Sequence, residues 1–152
     1  MSPRLMRILR NVVIGGVVVF GLIQLIPYGR AHTNPPVVSE PHWDRPETRA
    51  LAVRACFDCH SNETTWPWYS HVAPLSWFVQ GHVDDGRRAL DFSDWSKTYR
   101  HAKDAAHAVS AGEMPLWTYT LMHPDAKLSS DEQRALADGL TATLGSGSGS
   151  AN

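Results

Sequence analysis

The sequence predicts an all-α chain whose first helix crosses a membrane, and three observations carry that expectation. An unbroken apolar run, VVIGGVVVFGLIQLI at 12–26, follows Arg4, Arg7 and Arg10. Downstream, apolar side chains recur at spacings of three and four, the period of a helix that buries one face. No stretch alternates apolar and polar residues as a half-buried strand does, and there is no internal repeat.

The apolar run lengthens to 8–28 when Ile8, Leu9, Pro27 and Tyr28 are included. At helical rise that window reaches roughly 30 Å, enough to cross a bilayer, with Arg10 snorkelling to its edge. Basic residues before an apolar run keep that side in the cytoplasm, so the remainder is exported. Residues 1–28 are therefore expected to be an uncleaved signal-anchor. The rival is a cleaved signal peptide ending near Gly29-Arg30-Ala31, where a charged residue in the cleavage triplet argues against it.

Pro27, Pro35, Pro36, Pro41 and Pro46 follow. Proline keeps its neighbours extended and donates no hydrogen bond, so 29–44 is expected to be a tether. A globular domain is expected over 45–144. Asp44 and Glu47 have the spacing of a capping box, which opens a first helix over about 45–58 with Leu51, Ala52, Ala55 and Cys59 on one face. A loop takes 61–73. A second helix is expected over about 74–88, its stripe formed by Leu75, Phe78, Val79, His82 and Val83. A third starts at Ser93, runs through Trp95, Tyr99, Ala102, Ala106 and Val109, and ends at Gly112. Residues 113–128 read as an irregular loop. Ser129 and Glu132 form another capping box, opening a last helix through Leu136, Leu140 and Leu144. The remainder, 145–152, reads as a flexible Gly/Ser tail.

Of 152 residues, 43% are hydrophobic and 19% charged, which suits one globular domain plus one apolar segment and excludes a disordered chain. The net charge is −1, but the chain beyond residue 30 carries 10 basic and 15 acidic residues, about −5. There is no basic stripe interleaved with aromatics, so no nucleic-acid partner is expected. Six tryptophans in so short a chain imply an aromatic core or an enclosed flat ligand.

The two cysteines, Cys56 and Cys59, exclude a disulfide framework. They stand in Cys56-Phe57-Asp58-Cys59-His60. The spacing lets two thiols reach the two vinyl groups of one haem, and the histidine that follows meets the iron from the same turn of backbone. Cys56 and Cys59 are thus the expected thioether residues of a single covalent haem c, and His60 the proximal iron ligand. Zinc would need two further spaced ligands, and no second pair stands nearby. A redox dithiol would need a βαβ setting.

For the other face of the iron, Met114 is the first choice. It follows Gly112 in a loop that Pro115 stiffens, and a thioether is a usual distal ligand. His123 is the principal alternative, with Met122 and His82 behind it; His32, His42, His71, His101 and His107 read as solvated. Trp66, Trp68 and Trp117 are expected to wall the haem, being near its ligands in sequence. Arg87 and Arg88 read as a solvated helix end, with pairing to haem propionates as the alternative.

Taken together, IPYGRAHTNPPV, ACFDCHSNETTWPWYSHVAPLSWFV, HVDDGRRALDFSDW and GEMPLWTYTLMHPDAKLS resemble the bacterial haem-binding-domain family over about residues 26–140. The resemblance implies an all-α, cytochrome-c-like helical haem domain with an N-terminal transmembrane helix, tethered in the periplasm. It carries over Cys56, Cys59 and His60, and leaves the GEMP and LMHP segments equally prominent for the distal ligand. The expected function is electron transfer, not enzymatic turnover. The chain would be a single-pass protein of the bacterial inner membrane, exchanging electrons with a redox protein or a respiratory complex. The rival classes are a haem-based sensor with an open sixth position, and a small peroxidase using Glu113 or His123.

Overall fold

The computed structural model describes residues 2–100 and 102–145. Among them there are seven α-helices and two 3₁₀ turns, and no strand; the one isolated bridge pairs Ser39 with Asp94. The helices are α1 (Pro3–Ile23), α2 (Pro46–Ala55), α3 (Phe57–His60), α4 (Leu75–Ala89), α5 (Asp104–Ser110), α6 (Trp117–Met122) and α7 (Ser130–Gly145). The 3₁₀ turns are Trp68–His71 and Pro124–Ala126. The chain forms two compact units. Among the described residues, the first holds those up to Thr33 together with Trp66–Gly81, and the second holds Asn34–Thr65 and those from His82 to Gly145.

In the first unit α1 has 21 residues, none buried, and is long and apolar enough to cross a membrane. Ser2 caps it, its Oγ accepting from the Leu5 amide. Gln24 ends it, and the Gln24 side chain makes a double hydrogen bond with the backbone of Ala73. Its Nε2 donates to the Ala73 carbonyl at 2.9 Å, and its Oε1 accepts from the Ala73 amide at 3.0 Å. Gly29 has φ of +77°, and a Cβ there would stand 2.3 Å from the Ser76 carbonyl oxygen. Only glycine satisfies both the conformation and the approach. His32 is not solvated as expected. Its ring stacks on Trp66 at 4.6 Å, meets the His71 ring edge-on at 4.3 Å, and donates through Nε2 to the Ser70 carbonyl. His42 and His107 are exposed, as is His71 despite that ring contact; His101 lies outside the described residues.

The core of the second unit is built from Ala52, Phe57, Leu90, Phe92, Val109, Leu136, Leu140 and Leu144. Helix α7 packs on α2 and α5. Its three leucines, four residues apart, fall on one face and are buried, as their spacing predicts. The Ser129–Glu132 capping box forms reciprocally: Ser129 Oγ accepts from the Glu132 amide, and Glu132 Oε2 from the Ser129 amide. Gly139 lets α7 approach α2, since a Cβ would meet Thr48 Oγ1 at 2.2 Å. Phe57 stacks on Phe92 at 5.5 Å, Trp43 packs on Phe92, and Arg49 covers Phe57 while forking onto Glu40.

Several expected elements differ. The first helix breaks at Cys56, whose φ of −126° separates α2 from α3. The Asp44–Glu47 capping box does not form. Arg45 is the N-cap, and the Asp44 carboxylate instead binds Arg45, Thr48 and Thr143. The third helix shrinks to α5, because the chain at Ser93, Asp94 and Tyr99 is taken by other bonds. The Ser93 carbonyl accepts from Val38 and Ser39, its Oγ accepts from the Asn62 amide, and Tyr99 donates to the Asp94 carbonyl. Such side-chain and loop bonds compete with a helical ladder. Gly112, at φ +73°, ends α5 as expected. The loop expected over 113–128 contains α6 and a 3₁₀ turn. Residues 34–44, expected as a tether, are hydrogen-bonded within the second unit, through Asn34 to Thr64, Pro36 to Asn62 and Val38 to Ser93. The tail beyond Gly145 lies outside the described residues.

Candidate functional site

The Cys56–His60 segment lies where α2 ends and α3 begins. The Cys56 carbonyl accepts from both the Cys59 and His60 amides, at 3.1 and 2.9 Å, so one tight turn holds both thiols and the imidazole. Gly86 of α4 makes room for this turn: a Cβ there would lie 2.3 Å from the Cys59 carbonyl oxygen. Leu90–Phe92 then clamps His60 from two sides. The Phe92 amide donates to the His60 carbonyl at 2.8 Å, and His60 Nδ1 lies 3.0 Å from the Leu90 carbonyl oxygen. A carbonyl only accepts, so Nδ1 carries the proton. Nε2 is therefore the nitrogen with the lone pair, which is the form a metal-binding histidine needs.

The electrostatics agree. Burial lowers the His60 pKa, against the opposing bonds to Leu90 and Gly86, and so favours the neutral imidazole. Burial also pushes the Cys56 thiol up to about 12, with Cys59 adding to it, and the Cys59 thiol up to about 11, with Asp58 adding to it. Both are free thiols and stay protonated at neutral pH. Among the described residues no three His, Cys, Asp or Glu side chains converge as a metal cluster.

Asp58, between the cysteines, ties the turn outward. Its Oδ1 accepts from the Thr65 amide at 2.8 Å, its Oδ2 from Tyr119 Oη at 2.6 Å, and its carbonyl from Thr64 Oγ1. Arg87 is not a solvated helix end. Its guanidinium donates to the Ser61 carbonyl, Asn34 Oδ1 and Thr64 Oγ1, bracing the loop behind His60. Arg88 is exposed and pairs with Asp85. The positions of Gly86, Leu90, Asp58 and Tyr119 are missed by sequence reasoning. Gly86 alone leaves a trace, as a glycine inside an otherwise helical stretch.

Met114 and Cys56 both pack against the same apolar core, half-buried. The Met114 loop is pinned where the Glu113 and Met114 amides both donate to the Ala108 carbonyl. Met122 is exposed. The His123 ring stacks on Tyr119 at 4.3 Å and its Nδ1 donates to the Tyr119 carbonyl. His82 is half-buried on α4. Trp117 is 75% exposed and stands one turn from the exposed Leu121. Trp66 and Trp68 belong to the first unit, where Trp66 stacks on His32 and Trp68 is 78% exposed.

A helical domain that clamps a neutral histidine beside two protonated thiols on one turn has the donor set of a haem protein. The haem-binding domain family model matches residues 18–142, and the chain belongs to that family. No curated protein and no solved structure matches it.

Proposed function

We propose that this protein is a single-haem c-type cytochrome, anchored in the bacterial inner membrane by α1 with its haem domain in the periplasm, that carries electrons to or from a membrane redox complex. The observation that carries the reading is the His60 Nδ1–Leu90 bond, which leaves Nε2 for iron on the same turn as two protonated thiols. Bound haem supplies a one-electron Fe(III)/Fe(II) couple. Cys56 and Cys59 would hold the haem, each thiol supplying both the sulfur and the hydrogen that addition to a vinyl group requires. His60 would hold the iron through Nε2, its tautomer fixed by the Leu90 carbonyl. Met114 is the distal ligand we favour, because it borders the apolar core that Cys56 borders. His123 is the alternative, since its Nδ1 donates to the Tyr119 carbonyl and leaves Nε2 for iron, as at His60. Trp117 and Leu121 supply an apolar face for the haem to cover. Electron transfer, without substrate turnover, suits a small domain with little distal acid–base chemistry.

The test is the optical spectrum of the purified protein in both oxidation states, with denaturation to check whether haem stays on the chain. Covalent haem with a low-spin, six-coordinate spectrum, resistant to carbon monoxide when reduced, is the expected result. Haem lost on denaturation would refute the c-type assignment. Rapid, complete carbon monoxide binding would favour a sensor over a carrier.

A further inference from the structure

We propose that Trp66–Gly81 forms a membrane-interfacial collar, with Trp68, Leu75 and Phe78 seated in the headgroup–acyl boundary of the phospholipid leaflet from which α1 emerges. The proposal rests on the reading that α1 spans the bilayer. Its first support is position. Gln24 ends α1, and the double bond between its amide and the Ala73 backbone fixes the segment at that level. The Gly29 backbone lies against Ser76 too closely for any side chain. A 21-residue helix spans roughly the hydrocarbon thickness, so its capping residue sits at the membrane edge, and Ala73 and Ser76 sit beside it.

The second support is chemistry. From Trp66 through Gly81 there is no Asp, Glu, Lys or Arg. Trp68, Leu75 and Phe78 are 78%, 49% and 53% exposed, and the last two share a face of α4 at a spacing of three. Leu25, Ile26 and Tyr28 continue the exposed apolar surface from the end of α1. Apolar groups mixed with Trp and Tyr at the end of a spanning helix are the composition of a membrane interface. Arg30 Nη2 donates to Gln24 Oε1, which holds a cation at the same level, where lipid phosphates lie. The exposure of Trp68 is thereby explained by lipid, in place of the haem wall that its sequence position suggests.

The test is photo-cross-linking of the full chain in vesicles of phosphatidylethanolamine and phosphatidylglycerol. Benzoylphenylalanine is placed in separate variants at Val17, Trp68, Phe78 and Asp131, all exposed side chains, and adducts are read by mass spectrometry. The expected result is lipid adducts at 68 and 78 in yields comparable with 17 and many-fold above 131. Lipid adducts at 17 but none at 68 and 78 would overturn the collar and leave the anchor standing. Cross-links from 68 and 78 to a second copy of the chain, in place of lipid, would overturn it in favour of a protein interface. No lipid adduct at 17 would overturn the anchor, and the collar with it.

Discussion

Tyr119 Oη donates a 2.6 Å hydrogen bond to Asp58 Oδ2, and so fastens α6 to one of the two residues between the cysteines. A hydroxyl bonded to a carboxylate is stronger than a neutral pair. Tyr119→Phe should keep the ring stacked on His123 but lose this bond, at a cost of about 1–3 kcal/mol. Denaturant unfolding of the wild type and the variant measures that loss. Since His60 is held by Leu90 and not by Tyr119, the spectrum of the haem-loaded variant should be unchanged before unfolding.

Two glycines of α4 make opposite predictions. A Cβ on Gly86 would meet the Cys59 carbonyl oxygen at 2.3 Å, whereas one on Gly81 would meet nothing within 4 Å. Gly86→Ala must therefore push α4 off the cysteine turn, which is expected to cost about 1–3 kcal/mol and to lower the yield of haem-loaded protein. Gly81→Ala should be neutral or stabilise by up to about 1 kcal/mol, because alanine restricts the unfolded chain. Thermal melts of both variants, with haem per chain, check the pair.

Acid should weaken the start of α7 through Glu132. Its carboxylate accepts from the Ser129 amide and pairs with Arg54, which together lower its pKa from 4.5 to about 2. A carboxyl depressed in the folded state stabilises above its unfolded pKa. That contribution is lost as pH falls from about 4.5 to about 2. Glu132→Gln removes the titration, so melting temperature should fall less steeply over that window than in the wild type. Identical slopes would mean that the pair contributes nothing there.

The features readable in the sequence are those whose cause is local. The run at 12–26, the existence of α4, the leucines of α7 and the Ser129–Glu132 box all depend on residues within a few positions of each other, whereas the α4 stripe expected to be buried leaves Leu75 and Phe78 exposed. The unreadable ones depend on distant backbone. His60 is oriented by the carbonyl of Leu90, thirty positions on, and a carbonyl leaves no side-chain signature. Trp95, Tyr99, Ala102, Ala106 and Val109 have helical spacing, yet Ser93 and Asp94 spend their polar groups on Val38, Asn62 and Tyr99, and the helix starts only at Asp104. Arg87 reads as a surface cation because its three oxygen partners come from parts of the chain 23 to 53 residues away.

Substitutions at Met114 and His123 separate the two leading distal ligands. Met114 borders the apolar core that Cys56 also borders, while the His123 ring stacks on Tyr119. Met114→Ala should vacate the sixth position, giving a high-spin haem that binds carbon monoxide when reduced and has a lower reduction potential, because thioether ligation favours the ferrous state. Met114→His should restore a low-spin spectrum while keeping the potential low, which a merely structural role for Met114 would not produce. His123→Ala should lose the stack on Tyr119 and some stability, and leave spectrum and potential unmoved. If His123→Ala opens the iron and Met114→Ala does not, the assignment reverses, and the Tyr119 contacts become the support that orients a histidine ligand.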